Sequence, residues 1–373
     1  MQKKETMIMT TDILRIIEGG LNNDTRKVIS YSNRLAQRLM EEGDKQLAQS
    51  IIMRIQNSGS QSSATADAIR MLPIDVDSKL QIVEVIPEDK TRTDIVLSDN
   101  VGKQVHDFIE IIKHSDDLIR AGVDIKKTML LYGSPGCGKT SIAHYISEQS
   151  KLPLVIARLD GIVSSLLGST AKNLRKIFSY ASSLPCILFL DEFDAIAKAR
   201  DDSHELGELK RIINSLLQDI DSMPSSCILL AATNHPELLD KAVWRRFMTK
   251  VEVGMPDGLS RQKIIQKQLV GFECQFSEED SKMKILNDLM VKMSPSDIST
   301  LFNKLKVNAI IHGSKEIIYD DVLVAIFAYD GKNRSTEEFI RYLSKYGVSQ
   351  INISKILSLS IRQVRNVLSE KKL

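Results

Sequence analysis

The sequence predicts an α/β fold, in which a parallel sheet is flanked by helices and helical segments are added at both ends of the chain. The first observation is a short apolar run of strand type, 128–132, which leads through a glycine-rich turn into a stretch with helical spacing, 141–150. The second is a pair of later apolar runs, 186–190 and 227–233, that each end in polar residues. The third is the N-terminal segment 8–57, where apolar residues recur three and four positions apart.

Length and composition are those of a soluble globular protein. The chain has 373 residues, of which 43% are hydrophobic and 26% charged, and its net charge is +2. This balance gives no general attraction to nucleic acid or membranes, and no stretch approaches the roughly 18 apolar residues of a membrane helix. The four cysteines lack C-x-x-C spacing, which predicts reduced thiols. Because no signal-like apolar core follows the charged N-terminus, we expect a cytoplasmic protein that does not contact membranes.

The N-terminal segment 1–57 is predicted to be a helical module. A small, polar stretch follows at 57–66, and such a stretch has little to bury and is typical of a flexible tether. We therefore expect the module to hang from the rest of the chain by a linker, 58–94, that leads into the α/β domain. Two roles remain open for the module, namely recognition of a partner and packing or oligomerisation.

Residues 133–140 match the phosphate-loop pattern G-x-x-x-x-G-K-[ST] in the strand-to-helix context that the motif requires. The glycines let the backbone wrap a phosphate, and the loop N–H groups with the helix N-terminus provide an anion site. Lys139 is expected to reach the β- and γ-phosphates of ATP, and the Thr140 hydroxyl to ligate Mg²⁺. The predicted nucleotide-binding residues of this segment are Gly133, Ser134, Pro135, Gly136, Cys137, Gly138, Lys139, Thr140 and Ser141.

Two carboxylates, Asp191 and Glu192, follow the apolar run 186–190. In an open α/β sheet, ligands bind at the carboxyl ends of the strands, so this pair is expected to face the phosphates. Asp191 is then the second candidate ligand of Mg²⁺, and Glu192 the candidate general base that activates water. The alternative is a solvated acidic turn after a core strand, which the upstream phosphate loop disfavours.

The next apolar run ends at Asn234, and a basic pair, Arg245 and Arg246, follows it. An asparagine at this place can align the attacking water with the γ-phosphate, although it also suits an ordinary turn at a strand end. The arginines have the planar, permanent charge that suits phosphate oxygens in a transition state. Alternatively, they are a basic pair that interacts with a helix C-terminus.

Together these segments resemble the AAA family of ATPases, within the larger AAA+ group of phosphate-loop NTPases. The resemblance runs from about Ile95 to about Tyr329. It is carried by four motifs in the family's order and spacing: the phosphate loop with its strand (130–140), the acidic strand end (189–196), the sensor stretch (232–240) and the second region of homology (240–247).

The resemblance implies an ATP hydrolase built from a large α/β domain, 95–255, and a small α-helical lid, 256–334, with a lid helix opening at 294–298. It implies that Arg245 and Arg246 act in trans on the ATP of a neighbouring subunit, and hence a ring of identical chains, most simply a hexamer formed with ATP. Asn100 and Val101 lie where the family cradles adenine.

The position of the first pore loop departs from the family pattern. Members that thread protein carry an aromatic-hydrophobic-glycine tripeptide there, whereas this chain has Leu166, Leu167 and Gly168. An apolar grip on a polypeptide is retained, but the aromatic is missing. The acidic stretch 200–208 lies where a second pore loop is expected, or it is a solvated loop.

The C-terminal segment 335–373 resembles a helix-turn-helix, with apolar residues spaced to pack two short helices across a tight turn. Ser360 is placed to cap the second helix. Ser354 and Ser358 replace the usual alanine and turn glycine, and the alternative is a helical hairpin packed on the lid. If the helix enters a major groove, the residues expected to contact DNA are Arg362, Gln363, Arg365 and Asn366.

These observations predict Mg²⁺-dependent ATP hydrolysis by a ring that remodels a protein substrate or drives an effector, such as the separate protease beside which stand-alone bacterial members of the family can operate. The alternative is a DNA-bound, ATP-driven switch or clamp that uses the C-terminal helices.

Overall fold

The computed structural model describes residues 10–21, 24–41, 43–57, 72–75, 81–87, 93–123, 125–159, 167–195, 206–224, 227–329 and 335–369. The strands in these ranges are β1 Glu84–Ile86, β2 Lys127–Tyr132, β3 Leu154–Arg158, β4 Ile187–Asp191, β5 Ile228–Thr233 and β6 Thr249–Glu252. The helices, numbered in chain order, are α1 Thr10–Leu21, α2 Thr25–Glu41, α3 Lys45–Asn57, α4 Asp99–Lys113, α5 Ser115–Arg120, α6 Lys139–Ser150, α7 Leu167–Ser183, α8 Leu206–Ser222, α9 Lys241–Trp244, α10 Gly258–Leu269, α11 Asp280–Leu289, α12 Pro295–Ile311, α13 Tyr319–Tyr329, α14 Thr336–Lys345, α15 Gln350–Leu357 and α16 Ile361–Ser369. Two short 3₁₀ turns lie at Pro236–Leu238 and Gln275–Glu278.

The strands form one sheet in the order β1-β3-β4-β5-β2-β6, and all but β1 run parallel. Every residue of β5 is buried, as are the first five of β2. Strands that are covered on both faces read as continuous apolar runs, which is why the sequence revealed them so clearly. This fold confirms the predicted α/β class and adds an antiparallel edge strand, β1.

The register brings the predicted site residues to one edge of the sheet. Tyr132 at the end of β2 pairs with Thr233 at the end of β5, and Leu190 of β4 pairs with Ala231. The residues that follow these strand ends, Gly133, Glu192 and Asn234, therefore leave the sheet side by side, at the carboxyl ends where α/β proteins bind ligands.

The chain divides into two compact units. The first comprises residues 1–95, 99–134 and 139–253, and the second comprises 96–98, 135–138 and 254–373. The five predicted segments (1–57, 58–94, 95–255, 256–334 and 335–373) remain a prediction.

Within the first unit, the N-terminal helices pack on the end of the sheet opposite the phosphate loop. Asp12 of α1 is fully buried, and its Oδ2 lies 3.2 Å from Nη1 of Arg38 in α2. The same Nη1 lies 2.8 Å from Oδ2 of Asp116. Lys127, at the start of β2, lines the same cavity, and burial lowers its pKa to about 8. The module is thus packed against the sheet, with the buried Asp12 and the half-buried Arg38 and Asp116 at the contact, rather than hanging freely as we expected. Residues 58–66 of the predicted polar tether, 57–66, lie outside the described residues.

Within the second unit, the last three helices share one hydrophobic core with α10–α13. Leu343, Ile353 and Val364 are buried in the same cluster as lid residues such as Phe302. Phe327 of α13 stacks on Phe339 of α14 with ring centroids 4.3 Å apart. The C-terminal helices are therefore packed on the predicted lid, as the alternative interpretation of this segment proposed. No helix in the described ranges is long and apolar enough to cross a bilayer.

Candidate nucleotide site

The phosphate loop begins at Gly133 directly after β2. Its N–H donates to the carbonyl of Thr233 at 3.3 Å, and its φ of 137° lies in the region that favours glycine. A Cβ at this position would lie 2.3 Å from the carbonyl oxygen of Val253. The first glycine of the motif is therefore required both by its backbone conformation and by the close approach of the chain after β6.

Lys139 opens α6 and is buried. Its ammonium donates to the carbonyls of Gly133 at 2.7 Å and Ser134 at 2.9 Å. The side chain thus folds back into the loop and carries its charge to the place where the loop N–H groups create an anion site. This is the position from which a lysine can contact the β- and γ-phosphates of a nucleotide.

Thr140 and Asp191, the two predicted magnesium ligands, are in direct contact. The Thr140 hydroxyl donates to Oδ2 of Asp191 at 3.1 Å. A hydroxyl and a carboxylate are hard oxygen donors of the kind that Mg²⁺ prefers, and Mg²⁺ commonly takes only one or two protein ligands beside phosphates and water. The pair therefore fits Mg²⁺, and within the described ranges no cluster of three or more metal-binding side chains competes with it.

Glu192 follows β4 in a left-handed conformation, with φ of 54°. Its N–H donates to Oδ1 of Asp191 at 2.9 Å, and the next N–H, of Phe193, donates to the carbonyl of Ala232 at 2.8 Å. Non-glycine residues in this conformation are uncommon and cluster at functional sites. The turn presents the Glu192 side chain to solvent at the edge of the sheet that carries the phosphate loop.

Asp194 is a site residue that the sequence reasoning missed. It is only 3% exposed, and its Oδ1 accepts hydrogen bonds from the Thr233 hydroxyl at 2.9 Å and from the N–H of Asn234 at 3.2 Å. It thereby ties the turn after β4 to the end of β5. In the sequence, only the position of Asp194 two residues after Glu192 could have suggested a role at the site. The pairing of β4 with β5 is what shows which groups Asp194 binds.

Arg245 and Arg246 lie at the other end of the sheet. The carbonyl of Arg246 accepts a hydrogen bond from the Thr128 hydroxyl at 2.9 Å, and Thr128 precedes Gly133 by five residues of strand, or roughly 17 Å. Both arginines are therefore far from the phosphate loop of their own chain. The structure does not bring them together with the other predicted catalytic residues.

The tip of the phosphate loop, 135–138, belongs to the second unit. There the N–H of Ser296 donates to the carbonyl of Gly136 at 3.2 Å. Ser294 caps α12 with a full capping box to Asp297, which confirms the predicted start of that helix. Cys137 is buried, with its Sγ 3.9 Å from Sδ of Met255.

The remaining predicted site residues are only partly accounted for. Asn100 and Val101 lie in the first turn of α4, where Val101 is buried and Asn100 is exposed. Leu166 lies outside the described residues, and Leu167 and Gly168 begin α7 with side chains that are likewise outside them. Of the stretch 200–208, only the backbone from Leu206 onward, in α8, is described.

Two short helices, α15 and α16, are joined by a tight turn at Ser358. Ser358 adopts the left-handed conformation, with φ of 53°, that a turn glycine would take. The Ser354 hydroxyl donates to the carbonyl of Leu359 across the turn. Both departures from the usual pattern are thus accommodated in the turn itself.

The side chains predicted to contact DNA are all exposed on α16, but they differ in their contacts. Gln363 accepts from the N–H of Ser360 in the helix cap at 2.9 Å, and Nε of Arg365 donates to Gln350 at 3.2 Å. Within the described part of the chain, the side chains of Arg362 and Asn366 form no hydrogen bond or ion pair.

Comparison with known proteins gives consistent matches. The family model described as "ATPase family associated with various cellular activities (AAA)" matches residues 129–255. The chain is 37% identical over 217 residues to the uncharacterized AAA family ATPase y4kL of Sinorhizobium fredii, covering 57% of this chain and 66% of the relative. It is 30% identical over 242 residues to the ATP-dependent zinc metalloprotease FtsH of Clostridium perfringens, covering 63% of this chain and 33% of the relative.

Among solved structures, the FIGL-1 AAA domain in complex with ADP is similar in fold, with a TM-score of 0.55 and 23% identity over 76% of this chain and 98% of that chain. The chain thus spans 66% and 33% of the lengths of the two curated relatives. The solved structure shows the same fold, and the family model and the relatives show that this chain contains an AAA family ATPase domain.

Proposed function

We propose that this chain hydrolyses ATP with Mg²⁺ in a ring of identical subunits, most simply a hexamer, and uses the energy to remodel a bound protein or to drive a partner effector. The observation that carries the proposal is the gathering of Lys139, the Thr140–Asp191 pair, Glu192 and Asn234 at one edge of the sheet. These are the parts that phosphoryl transfer to water requires, apart from the cationic group that stabilises the transition state.

In this mechanism, Lys139 binds the β- and γ-phosphates within the loop. Thr140 and Asp191 would hold Mg²⁺, which when bound would neutralise phosphate charge. Glu192 accepts a proton from the attacking water, and Asn234 aligns that water with the γ-phosphate. Because the oriented groups lie on adjacent strand ends, they are positioned before the substrate arrives, which lowers the entropic cost of reaching the transition state.

The missing cationic group would come from a neighbouring subunit. Arg245 and Arg246 are separated from their own phosphate loop by the length of β2, which is longer than an arginine side chain can bridge. An arginine that completes a site in trans can raise kcat by 10³–10⁵-fold, as in other phosphoryl-transfer enzymes. This separation is the reason for proposing a ring rather than an active monomer.

A protein substrate is favoured by the resemblance to FtsH, whose name describes an ATP-dependent protease. The match covers a third of that protein. As one partner effector we propose a separate protease. Leu166, Leu167 and Gly168 are proposed to contact the polypeptide in the ring's pore. We place this activity in the cytoplasm.

The test measures ATP turnover by the full chain, with Glu192→Gln as the blank, in the presence and absence of an unfolded protein. We expect stimulation by the unfolded protein that is lost when Leu166 and Leu167 are changed to alanine. A matched control changes two exposed leucines elsewhere, Leu47 and Leu259, and should keep the stimulation. Turnover that unfolded protein never stimulates would reject remodelling, and a Glu192→Gln variant as active as the wild type would reject the site.

A DNA-bound switch is the second candidate. It is favoured by the two short helices α15 and α16 with the tight turn between them and by the exposed Arg362 and Asn366 side chains, which suit guanine and adenine edges. A ring would present several such helices, which raises avidity.

The corresponding test measures duplex DNA binding at two salt concentrations for Arg362→Ala with Asn366→Ala. We expect at least a tenfold loss of affinity, whereas Lys292→Ala, an exposed basic residue on the same unit, should bind DNA as the wild type does. Equal binding by all three proteins would exclude α16 as the reading helix.

A further inference from the structure

The turn after β4 and the end of β5 are joined at two levels. The first is the backbone hydrogen bond from Phe193 N–H to the Ala232 carbonyl. The second is Asp194, whose single oxygen Oδ1 accepts from both the Thr233 hydroxyl and the Asn234 N–H. Glu192 stands at one end of this bridge and Asn234 at the other, so the candidate base and the water-aligning amide belong to one bonded assembly.

Two features make this bridge strong. Asp194 and Thr233 are both almost fully buried, at 3% and 1% exposure, so the hydrogen bonds between them compete little with water. A carboxylate acceptor also makes shorter and stronger hydrogen bonds than a neutral one. The Thr233 hydroxyl extends the network, because it accepts in turn from the N–H of His235 at 3.0 Å. The backbone on both sides of Asn234 is thereby fixed.

We propose that Asp194 is a positioning residue for ATP hydrolysis, which fixes Asn234 relative to Glu192 so that both act on the same water. This inference rests on the proposed function and assigns a role to Asp194, which is not among the candidate site residues predicted from the sequence. Asp194 contacts neither nucleotide nor water in this role. It acts through the Asn234 N–H and the Thr233 hydroxyl, which both donate to its Oδ1.

A positioning role predicts a particular kinetic pattern. Loss of the carboxylate leaves Lys139 and the loop intact, so nucleotide should still bind. The geometry of the attacking water should be lost, and a misplacement on the order of 1 Å can cost about 100-fold in rate. Asparagine at 194 retains an oxygen that accepts from both Thr233 and Asn234, so it should restore most of the activity.

The experiment compares Asp194→Ala, Asp194→Asn and Asn234→Ala in the full chain by kcat, KM for ATP and the affinity for a fluorescent ATP analogue. We expect kcat of Asp194→Ala to fall between 10- and 100-fold, with analogue affinity changed less than threefold, and Asp194→Asn to stay within about fivefold of the wild type. The Asp194→Ala, Asn234→Ala double variant should be no slower than Asn234→Ala alone, because both changes remove the same function.

The matched control is Asp75→Ala, which removes another buried aspartate of the same unit, hydrogen-bonded to Asn173. It should lower the melting temperature without lowering kcat selectively. If Asp194→Ala does not fold, Thr233→Val removes one of the two donors to Asp194 and leaves the Asn234 N–H, so kcat should fall less than is expected for Asp194→Ala, again with analogue affinity unchanged. Two results would overturn the inference. In the first, Asp194→Ala loses no more kcat than the Asp75→Ala control. In the second, the double variant loses as much as the product of the Asp194→Ala and Asn234→Ala losses. Failure of the proposed function is distinguishable, because then the wild type itself shows no turnover that depends on Glu192.

Discussion

Arg246 and Asp221 form a two-point ion pair, with Nε 3.2 Å from Oδ1 and Nη2 2.9 Å from Oδ2. The remaining nitrogen, Nη1, donates to the carbonyl of Ala242 at 3.1 Å. These hydrogen bonds lower the pKa of Asp221 and raise that of Arg246. Arg245, by contrast, is exposed and makes no side-chain hydrogen bond or ion pair with the described residues. The two neighbouring arginines are therefore not equivalent, and in the ring that we propose Arg245 is the one available to reach a second subunit.

Arg245→Ala should lower kcat by about 10³-fold or more, because it removes the cation that completes the neighbour's site. Steady-state ATP hydrolysis measures this effect. Mixing Arg245→Ala with Glu192→Gln subunits should restore activity, because an intact site on the first protein meets an intact arginine on the second. A mixture as inactive as its components would argue against action in trans.

Asp221→Ala should impair ATP hydrolysis to the same extent as Arg246→Ala, since either change removes the ion pair between these two residues. The double variant should be no worse than each single one. Melting temperatures should fall only slightly, because partly exposed ion pairs contribute about 1 kcal/mol or less. If Asp221→Ala were instead more active than the wild type while Arg246→Ala was inactive, Arg246 would be the residue that contacts the neighbouring subunit.

Gly133→Ala should abolish nucleotide binding and destabilise the first unit. The new methyl group would meet the carbonyl of Val253 in a backbone conformation that alanine adopts poorly. Binding of a fluorescent ATP analogue and thermal unfolding test this. Gly254→Ala, where a Cβ meets no atom within 4 Å, is the matched control and should bind nucleotide normally.

Lys127→Met should change how stability depends on pH. Burial lowers the Lys127 pKa from 10.5 to about 8, so between these values the unfolded chain carries the proton and the folded chain does not. Stability contributed by this group is therefore lowest below pH 8 and rises between pH 8 and 10.5, by at most about 1.4 kcal/mol per pH unit. Denaturant unfolding across this range should show the rise in the wild type and a smaller one in the variant. If the unfolding free energy depended on pH in the same way in Lys127→Met and in the wild type, the Lys127 pKa would not be lowered in the folded chain.

Leu343→Ala should loosen the predicted lid as well as the C-terminal helices, since Leu343 is fully buried in the core they share. Deleting a buried leucine side chain costs about 2–5 kcal/mol. Hydrogen exchange should report weaker protection in α13 and in α16 together. Ile351→Ala, at a position 57% exposed, should leave both unchanged. Weaker protection confined to α16 would mean that the C-terminal helices unfold independently.

The sequence was sufficient for the parts of the site that local chemistry specifies. The phosphate loop needs its glycines, lysine and threonine at fixed positions within eight residues, and the buried strands before Asp191 and Thr233 are apolar. Contacts between distant segments could not be deduced in this way. Asp194 reads as one more acidic residue until the pairing of β4 with β5 brings it to Thr233.

The N-terminal module shows the same limit in another form. Its apolar spacing predicted helices, and the helices are present. The polar stretch after it favoured a tether, because composition reports how little a segment can bury, not what its neighbours bury. The contact includes Asp12, Arg38 and Asp116, residue types that are normally expected at a surface. Sequence composition does not reveal that Arg38 lies between the two carboxyl groups.

The continuous core of the second unit has a consequence for regulation. Gly136 at the tip of the phosphate loop bonds to Ser296 of α12, and the same body of side chains extends through Phe327 and Phe339 to α16. If ATP shifts α12, the surface of α16 must move with it. Thermodynamic linkage then requires that the two affinities change together. A ligand on α16 would change the affinity for ATP by the same factor by which ATP changes the affinity for that ligand.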